Sequence, residues 1–252
     1  MIQLKHLVKK YGEKKVVDDV SIDLPKEKII AFIGSNGAGK STVLSLASRL
    51  LKRDAGEVRI DGTRLKDWKS EELAKRLSIL KQSNHLHVRL TVRELVSFGR
   101  FPYSKEKLTD EDIKHIDQAI EYMELTDLEN RYLDELSGGQ RQMAYIAMVI
   151  AQDTEYILLD EPLNNLDMKH SVKIMKVLRK LVDELHKTII VVIHDINFVS
   201  HYADYVVAMK DGKLITHGPT NEVIKSDVLN EIYNMDICIK RIQGKCVCLY
   251  YA

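Results

Sequence analysis

Gly34-Ser35-Asn36-Gly37-Ala38-Gly39-Lys40-Ser41 lies between two apolar runs. Ile29-Ile30-Ala31-Phe32-Ile33 before it reads as a buried strand, and Thr42-Val43-Leu44-Ser45-Leu46-Ala47 after it as a helix. Strand, glycine-rich turn, Lys-Ser and helix, in that order, form the setting of the phosphate-binding pattern G-x-x-x-x-G-K-[ST]. Gly34, Gly37 and Gly39 let the backbone wrap closely enough to aim its amides at phosphate oxygens. The helix N-terminus adds a positive dipole end. Lys40 reaches the β- and γ-phosphates as a point charge, and Ser41 offers a hydroxyl to Mg²⁺.

On the N-terminal side, Ile2–Lys5, Val16-Val17 and Val20–Leu24 alternate apolar and polar residues, as antiparallel strands with one exposed face do. Tyr11-Gly12 falls in the first turn region, where an exposed ring could stack on a nucleobase or simply cover a turn. On the C-terminal side come a short strand closed by Asp61-Gly62, a helix over 70–77 and a strand, Leu77–Leu80, ending at Gln82. Residues 91–152 show no convincing strand. Thr91 with Glu94 has capping-box spacing, and Thr109-Asp-Glu-Asp112 opens a helix with Ile113, Ile116, Ala119, Ile120 and Met123 on one face. The sheet resumes with Tyr156–Asp160 and Thr188–Ile193, separated by a helix striped by Val172, Met175, Leu178, Leu181, Val182 and Leu185. A hairpin (Tyr205–Met209, Leu214–Thr216) and a helix over Ser226–Tyr233 complete the chain. Unbroken apolar strands with helices between them mean a parallel sheet covered on both faces. The expected fold is α/β, with an antiparallel β subdomain and an inserted helical lobe. The core takes about 1–84 and 153–252, and the lobe about 85–152.

The 252 residues carry 38 Lys and Arg against 37 Asp and Glu, which disfavours a nucleic-acid partner. No apolar run approaches the roughly 18 residues that cross a bilayer, and the first residues lack a signal-peptide pattern. A soluble, cytoplasmic chain is expected, brought to any membrane by another protein. Cys238, Cys246 and Cys248 read as reduced packing residues, with Cys246 and Cys248 on one strand face.

Chemistry concentrates where apolar strands end. Asp160 and Glu161 follow one such strand, so one carboxylate can hold Mg²⁺ and the other can orient or deprotonate a water. His194 follows another and could hydrogen-bond a γ-phosphate or its attacking water. Leu136-Ser137-Gly138-Gly139-Gln140 opens a long helix and offers a second anion cradle. Two cradles in one chain hint at two copies sharing their ligands.

Together, Gly34–Ser41, Gln82, Leu136–Gln140, Ile157–Glu161 and His194 resemble the nucleotide-binding subunit of ATP-binding cassette transporters, over essentially the whole chain. The resemblance implies a P-loop NTPase core of RecA type, forming a single nucleotide-binding domain over 1–252. It implies that Tyr11 stacks on adenine and that Gly34, Ser35, Asn36, Gly37, Ala38, Gly39, Lys40, Ser41 and Thr42 bind the phosphates of ATP. Ser41, Gln82 and Asp160 would serve Mg²⁺. Ser137, Gly138, Gly139 and Gln140 would contact ATP held by the other copy of a homodimer, and Asp167 would lie in the loop crossing that dimer. Glu161 would be the catalytic base and His194 the switch. Two transmembrane permease subunits at the cytoplasmic face of the membrane would be driven through Gln82 and 84–103, with an extracellular or periplasmic binding protein delivering cargo. Leu90–Tyr103 is similar to importers of iron chelates and cobalamin, and Asn164–His170 to ferric-siderophore importers, including petrobactin systems. Ser35, Leu163, Asn164 and Met143 depart from the common family residues without removing a phosphate, metal or water ligand. A cassette ATPase acting on ribosomes or DNA would usually join two cassettes or carry long coiled-coil insertions. A small GTPase or P-loop kinase would leave Leu136–Gln140 unexplained.

Overall fold

Ile29–Ile33 is a strand buried along its whole length, because five consecutive apolar residues suit a strand covered on both faces. It belongs to a computed structural model that describes residues 1–82, 88–105, 107–242 and 245–250. In chain order the strands are β1 (Ile2–Tyr11), β2 (Lys14–Leu24), β3 (Ile29–Ile33), β4 (Ala55–Ile60), β5 (Thr63–Arg64), β6 (Leu77–Leu80), β7 (Tyr156–Asp160), β8 (Thr188–Val192), β9 (Tyr205–Lys210), β10 (Lys213–Pro219), β11 (Cys238–Ile242) and β12 (Lys245–Leu249). The helices are α1 (Lys40–Ala47), α2 (Ser70–Arg76), α3 (Val92–Ser97), α4 (Phe101–Ser104), α5 (Asp110–Tyr122), α6 (Gly138–Ala151), α7 (Met168–Leu185), α8 (Ile196–Tyr202), α9 (Thr220–Val223) and α10 (Ser226–Tyr233).

The chain divides into two compact units, Met1–Trp68 with Thr188–Ala252, and Lys69–Lys187. In the first, β2, β1, β4 and β5 form an antiparallel sheet. β3 pairs in parallel with β8 on one side and β9 on the other, and β10 returns antiparallel to β9. The register Phe32↔Val192 and Ile33↔Ala208 brings the C-terminal ends of β3, β8 and β9 to one edge. In the second unit, β6 and β7 pair in parallel from Leu77↔Tyr156 to Leu80↔Leu159. Among the described residues between them, the elements are helices, joined by a bridge between Thr91 and Tyr132.

The helical segment is built on α6. Leu95 and Val96 of α3, Ile116, Ala119 and Ile120 of α5, and Ala144 and Ala147 of α6 are buried. Both capping boxes legible in the sequence form, at Thr91–Glu94 and Thr109–Asp112. Ile113 departs from its expected place on the buried face, being 42% exposed. The buried stripe of α5 starts at Asp112, whose carboxylate turns inward to meet Arg100 Nε at 2.8 Å. That rotates Ile113 outward. Leu185, the last residue of α7, is exposed and Val172 is only half-buried, so the expected stripe of that helix is buried from Met175 to Val182. Among the described residues, no helix is long and apolar enough to cross a membrane.

Candidate functional site

In the first unit the phosphate loop leaves β3 and enters α1. A side chain at Gly34 would meet the Met209 carbonyl oxygen at 2.2 Å, and one at Gly39 the Val16 carbonyl oxygen at 2.4 Å. Both also have positive φ, 144° and 95°, which L side chains rarely adopt. The β9–β10 turn supports the loop, since Gly212 N–H donates to the Ala38 carbonyl at 3.2 Å. Lys40 is 4% exposed, and its ammonium donates to the carbonyls of Gly34 (2.8 Å) and Ser35 (3.0 Å). α1 starts without a side-chain cap, which leaves its positive end to the loop.

His194 follows β8 at the same sheet edge, where Ile193 N–H donates to the Phe32 carbonyl at 3.3 Å. The imidazole and the phosphate loop thus leave neighbouring strands side by side. Asp195 caps α8 through the amides of Asn197 (2.8 Å) and Phe198 (3.3 Å). Tyr11, 56% exposed at the end of β1, presents its ring to solvent with the Lys9 ammonium 5.5 Å from its centroid.

In the second unit the parallel register of β6 and β7 carries Gln82 alongside Glu161. Gln82 Nε2 donates to Glu161 Oε2 at 2.6 Å, and Asn164 Nδ2 donates to the same oxygen. Glu161 has φ 52°, an unusual conformation for a non-glycine residue and one often found at functional positions. Asp160, next to it, is 8% exposed. Ser137 caps α6 by accepting from Gln140 N–H at 3.3 Å, while Gln140 Oε1 accepts from Ser137 N–H at 3.0 Å. Asp167 caps α7 at His170 N–H (2.8 Å) and bonds the His170 ring at Nδ1. The amide and ring of His170 hold the Asp167 carboxyl below its usual range.

Two of these contacts escape sequence reasoning. Asn164 reads only as a departure from the family pattern, yet it holds Glu161. His170 packs its ring under the 137–140 turn, so a side chain at Gly139 would meet it at 2.9–3.1 Å, whereas Gly138 faces open space. Spacing signals the His170 cap, three residues after Asp167, but not the packing. Gly139→Ala should therefore lower the melting temperature more than Gly138→Ala, and His170→Ala should erase the difference. Equal melting temperatures for the two glycine variants would contradict the packing.

The glycine-rich loop after β3, the carboxylates ending β7 and the capped glycine turn of α6 are the features that the cassette resemblance names. The ABC transporter family model matches residues 17–164. Petrobactin import ATP-binding protein YclP of Bacillus subtilis (strain 168) is 57% identical over 252 residues, all of both chains. Petrobactin import ATP-binding protein FatE of Bacillus anthracis is 50% identical over 237 residues, 94% of this chain and 95% of its own. The dimeric post-hydrolysis structure of the cassette MJ0796, bound to ADP and phosphate, is 31% identical with TM-score 0.78, covering 87% of this chain and 99% of that one. With the family model and the full-length identity in agreement, the chain belongs to the ABC transporter family and is one of its ATP-binding ATPases.

Proposed function

We propose that this chain is the ATPase subunit of an iron–siderophore importer, working as a homodimer on two permease subunits at the cytoplasmic membrane face. The observation that carries the cargo class is the 57% identity across the whole length of a petrobactin import protein. Each catalytic role rests on the chain's own residues. Gly34–Thr42 hold the phosphates with their amides and the Lys40 ammonium. Glu161 accepts the proton of the attacking water, its carboxylate oriented by Gln82 and Asn164. His194 stands beside the loop to sense the γ-phosphate. Ser137–Gln140 offer the second cradle to the other copy's ATP, with Asp167 at the crossing. Mg²⁺ belongs to this reading: the Ser41 hydroxyl, Asp160 carboxylate and Gln82 amide oxygen are the hard donors it takes, and it would neutralise phosphate charge. The functional division is a core of about 1–84 and 153–252 and a lobe of about 85–152. In the permease-facing segment 84–103, Phe98 and Phe101 are more than half exposed, which suits docking. Residues 84–87 of that segment lie outside the described residues.

Proteoliposomes holding this chain with its co-purifying permease and ATP should accumulate ⁵⁵Fe–petrobactin delivered by the matching binding protein. Accumulation of cobalamin or haem instead, with none of the ferric chelate, would contradict the cargo assignment.

A further inference from the structure

The C-terminal segment beyond β10 has no part in the chemistry above, yet it touches both halves of the first unit's site. Gly34, the first residue of the phosphate loop, is held at three points. Its carbonyl accepts from Lys40, its α-carbon packs against the Met209 carbonyl, and its amide donates to the Tyr233 hydroxyl at 3.2 Å. Tyr233 is the last residue of α10 and is half-buried. The end of α10 is riveted to β9: Lys210 Nζ donates to the Glu231 carbonyl (2.5 Å) and to Asn234 Oδ1 (2.8 Å). Asn230 Oδ1 accepts from Ile237 N–H at 2.7 Å, fixing the turn into β11.

The β11–β12 hairpin then seats on α8, the helix that follows His194. Asn197 engages one peptide edge of β12 with both ends of its amide. Its Oδ1 accepts from Cys248 N–H at 2.8 Å and its Nδ2 donates to the Cys248 carbonyl at 3.2 Å. Ser200 Oγ donates to the Cys246 carbonyl at 2.8 Å. Burial pushes the Cys248 thiol up to about 11, with Cys246 and Asp195 adding to it. Burial likewise pushes the Tyr233 phenol up to about 12, and Cys248 contributes there as well. The phenol therefore stays protonated.

We infer that Tyr233 is a positioning residue for the phosphate loop, and that the hairpin joins it to α8 as a brace spanning the loop entrance and the His194 turn. The hydroxyl fixes the Gly34 peptide plane, and the plane sets where the Lys40 ammonium docks. The inference rests on the loop's being the ATP site. Binding of the fluorescent nucleotide mant-ATP to the full-length chain tests it. Tyr233→Phe keeps the ring and removes only the acceptor, so affinity should fall about fivefold, the worth of one hydrogen bond. The KM for ATP should rise in step while kcat at saturating ATP holds. Asn197→Ala should act in the same direction, and the double variant should stay within about twofold of the worse single one, since both work through one element. The Gly34 amide resonance in ¹H–¹⁵N spectra should move upfield in Tyr233→Phe. Lys40→Ala is the control. If it loses mant-ATP and Tyr233→Phe binds normally with an unmoved Gly34 resonance, the positioning role is overturned and the loop assignment stands. If Lys40→Ala binds normally, both fall. A melting-temperature loss in Tyr233→Phe with unchanged affinity would reduce the tyrosine to packing and overturn the inference.

Discussion

Glu161→Gln should lower ATP turnover by at least about a hundredfold, the contribution expected of a positioned general base. Nucleotide binding should survive, because Gln keeps the shape of the side chain and removes only its capacity to take a proton. Gln82 and Asn164 already converge on Oε2, at a left-handed backbone position directly after β7. ATP added to the variant should accumulate a pair of chains that does not reopen, visible as an earlier peak in size-exclusion chromatography. Near-normal turnover would remove Glu161 from the chemistry and leave the phosphate loop assignment untouched.

The second large effect is on stability. Arg100 and Asp112 form an ion pair with side chains 3% and 2% exposed. The pair is satisfied on every side. Arg100 Nη1 donates to the Ala151 carbonyl (2.8 Å), its guanidinium lies 3.9 Å from the Tyr103 ring centroid, and Asp112 accepts from Ser104 and from the amide and hydroxyl of Thr109. Asp112→Ala should cost about 3–5 kcal/mol in urea unfolding, because it strands a buried cation. Arg100→Met with Asp112→Leu should cost far less than the two single changes summed. Burial alone would raise the Asp112 carboxyl. The bonds from Ser104, Thr109 and Arg100 outweigh it and hold the group well below its ordinary 3.8. A depressed folded value stabilises the chain above the ordinary value, and that contribution is lost as pH falls below it. Wild-type stability should therefore drop from about pH 4 downward, more steeply than in the Arg100→Met/Asp112→Leu variant. Parallel acid profiles for the two would contradict the account.

What was legible in the sequence was local. Gly34 and Gly39 are fixed by backbone geometry, and Thr91 and Thr109 each bond a residue three positions on. The strand ends that carry Asp160, Glu161 and His194 follow from unbroken apolar runs. What was not legible depended on chain segments meeting in space. Tyr233 reaches Gly34 across 199 positions, and the Gly139–His170 packing joins two helix N-termini. Ile113 was misplaced because periodicity counts apolar residues, and the buried position in the first turn of α5 belongs to a paired carboxylate. The 57% full-length identity extends the narrower resemblance of Asn164–His170 to petrobactin systems, a stretch too short to name cargo alone.

If the ATP of each chain is completed by the Ser137–Gln140 turn of another, hydrolysis must be a property of pairs. ATPase rate per chain, followed from micromolar to low nanomolar protein with the mass measured at each dilution by sedimentation, reads this out. Activity per chain should fall as pairs dissociate and recover on concentration. A constant rate per chain in samples that sediment only as monomers would contradict it.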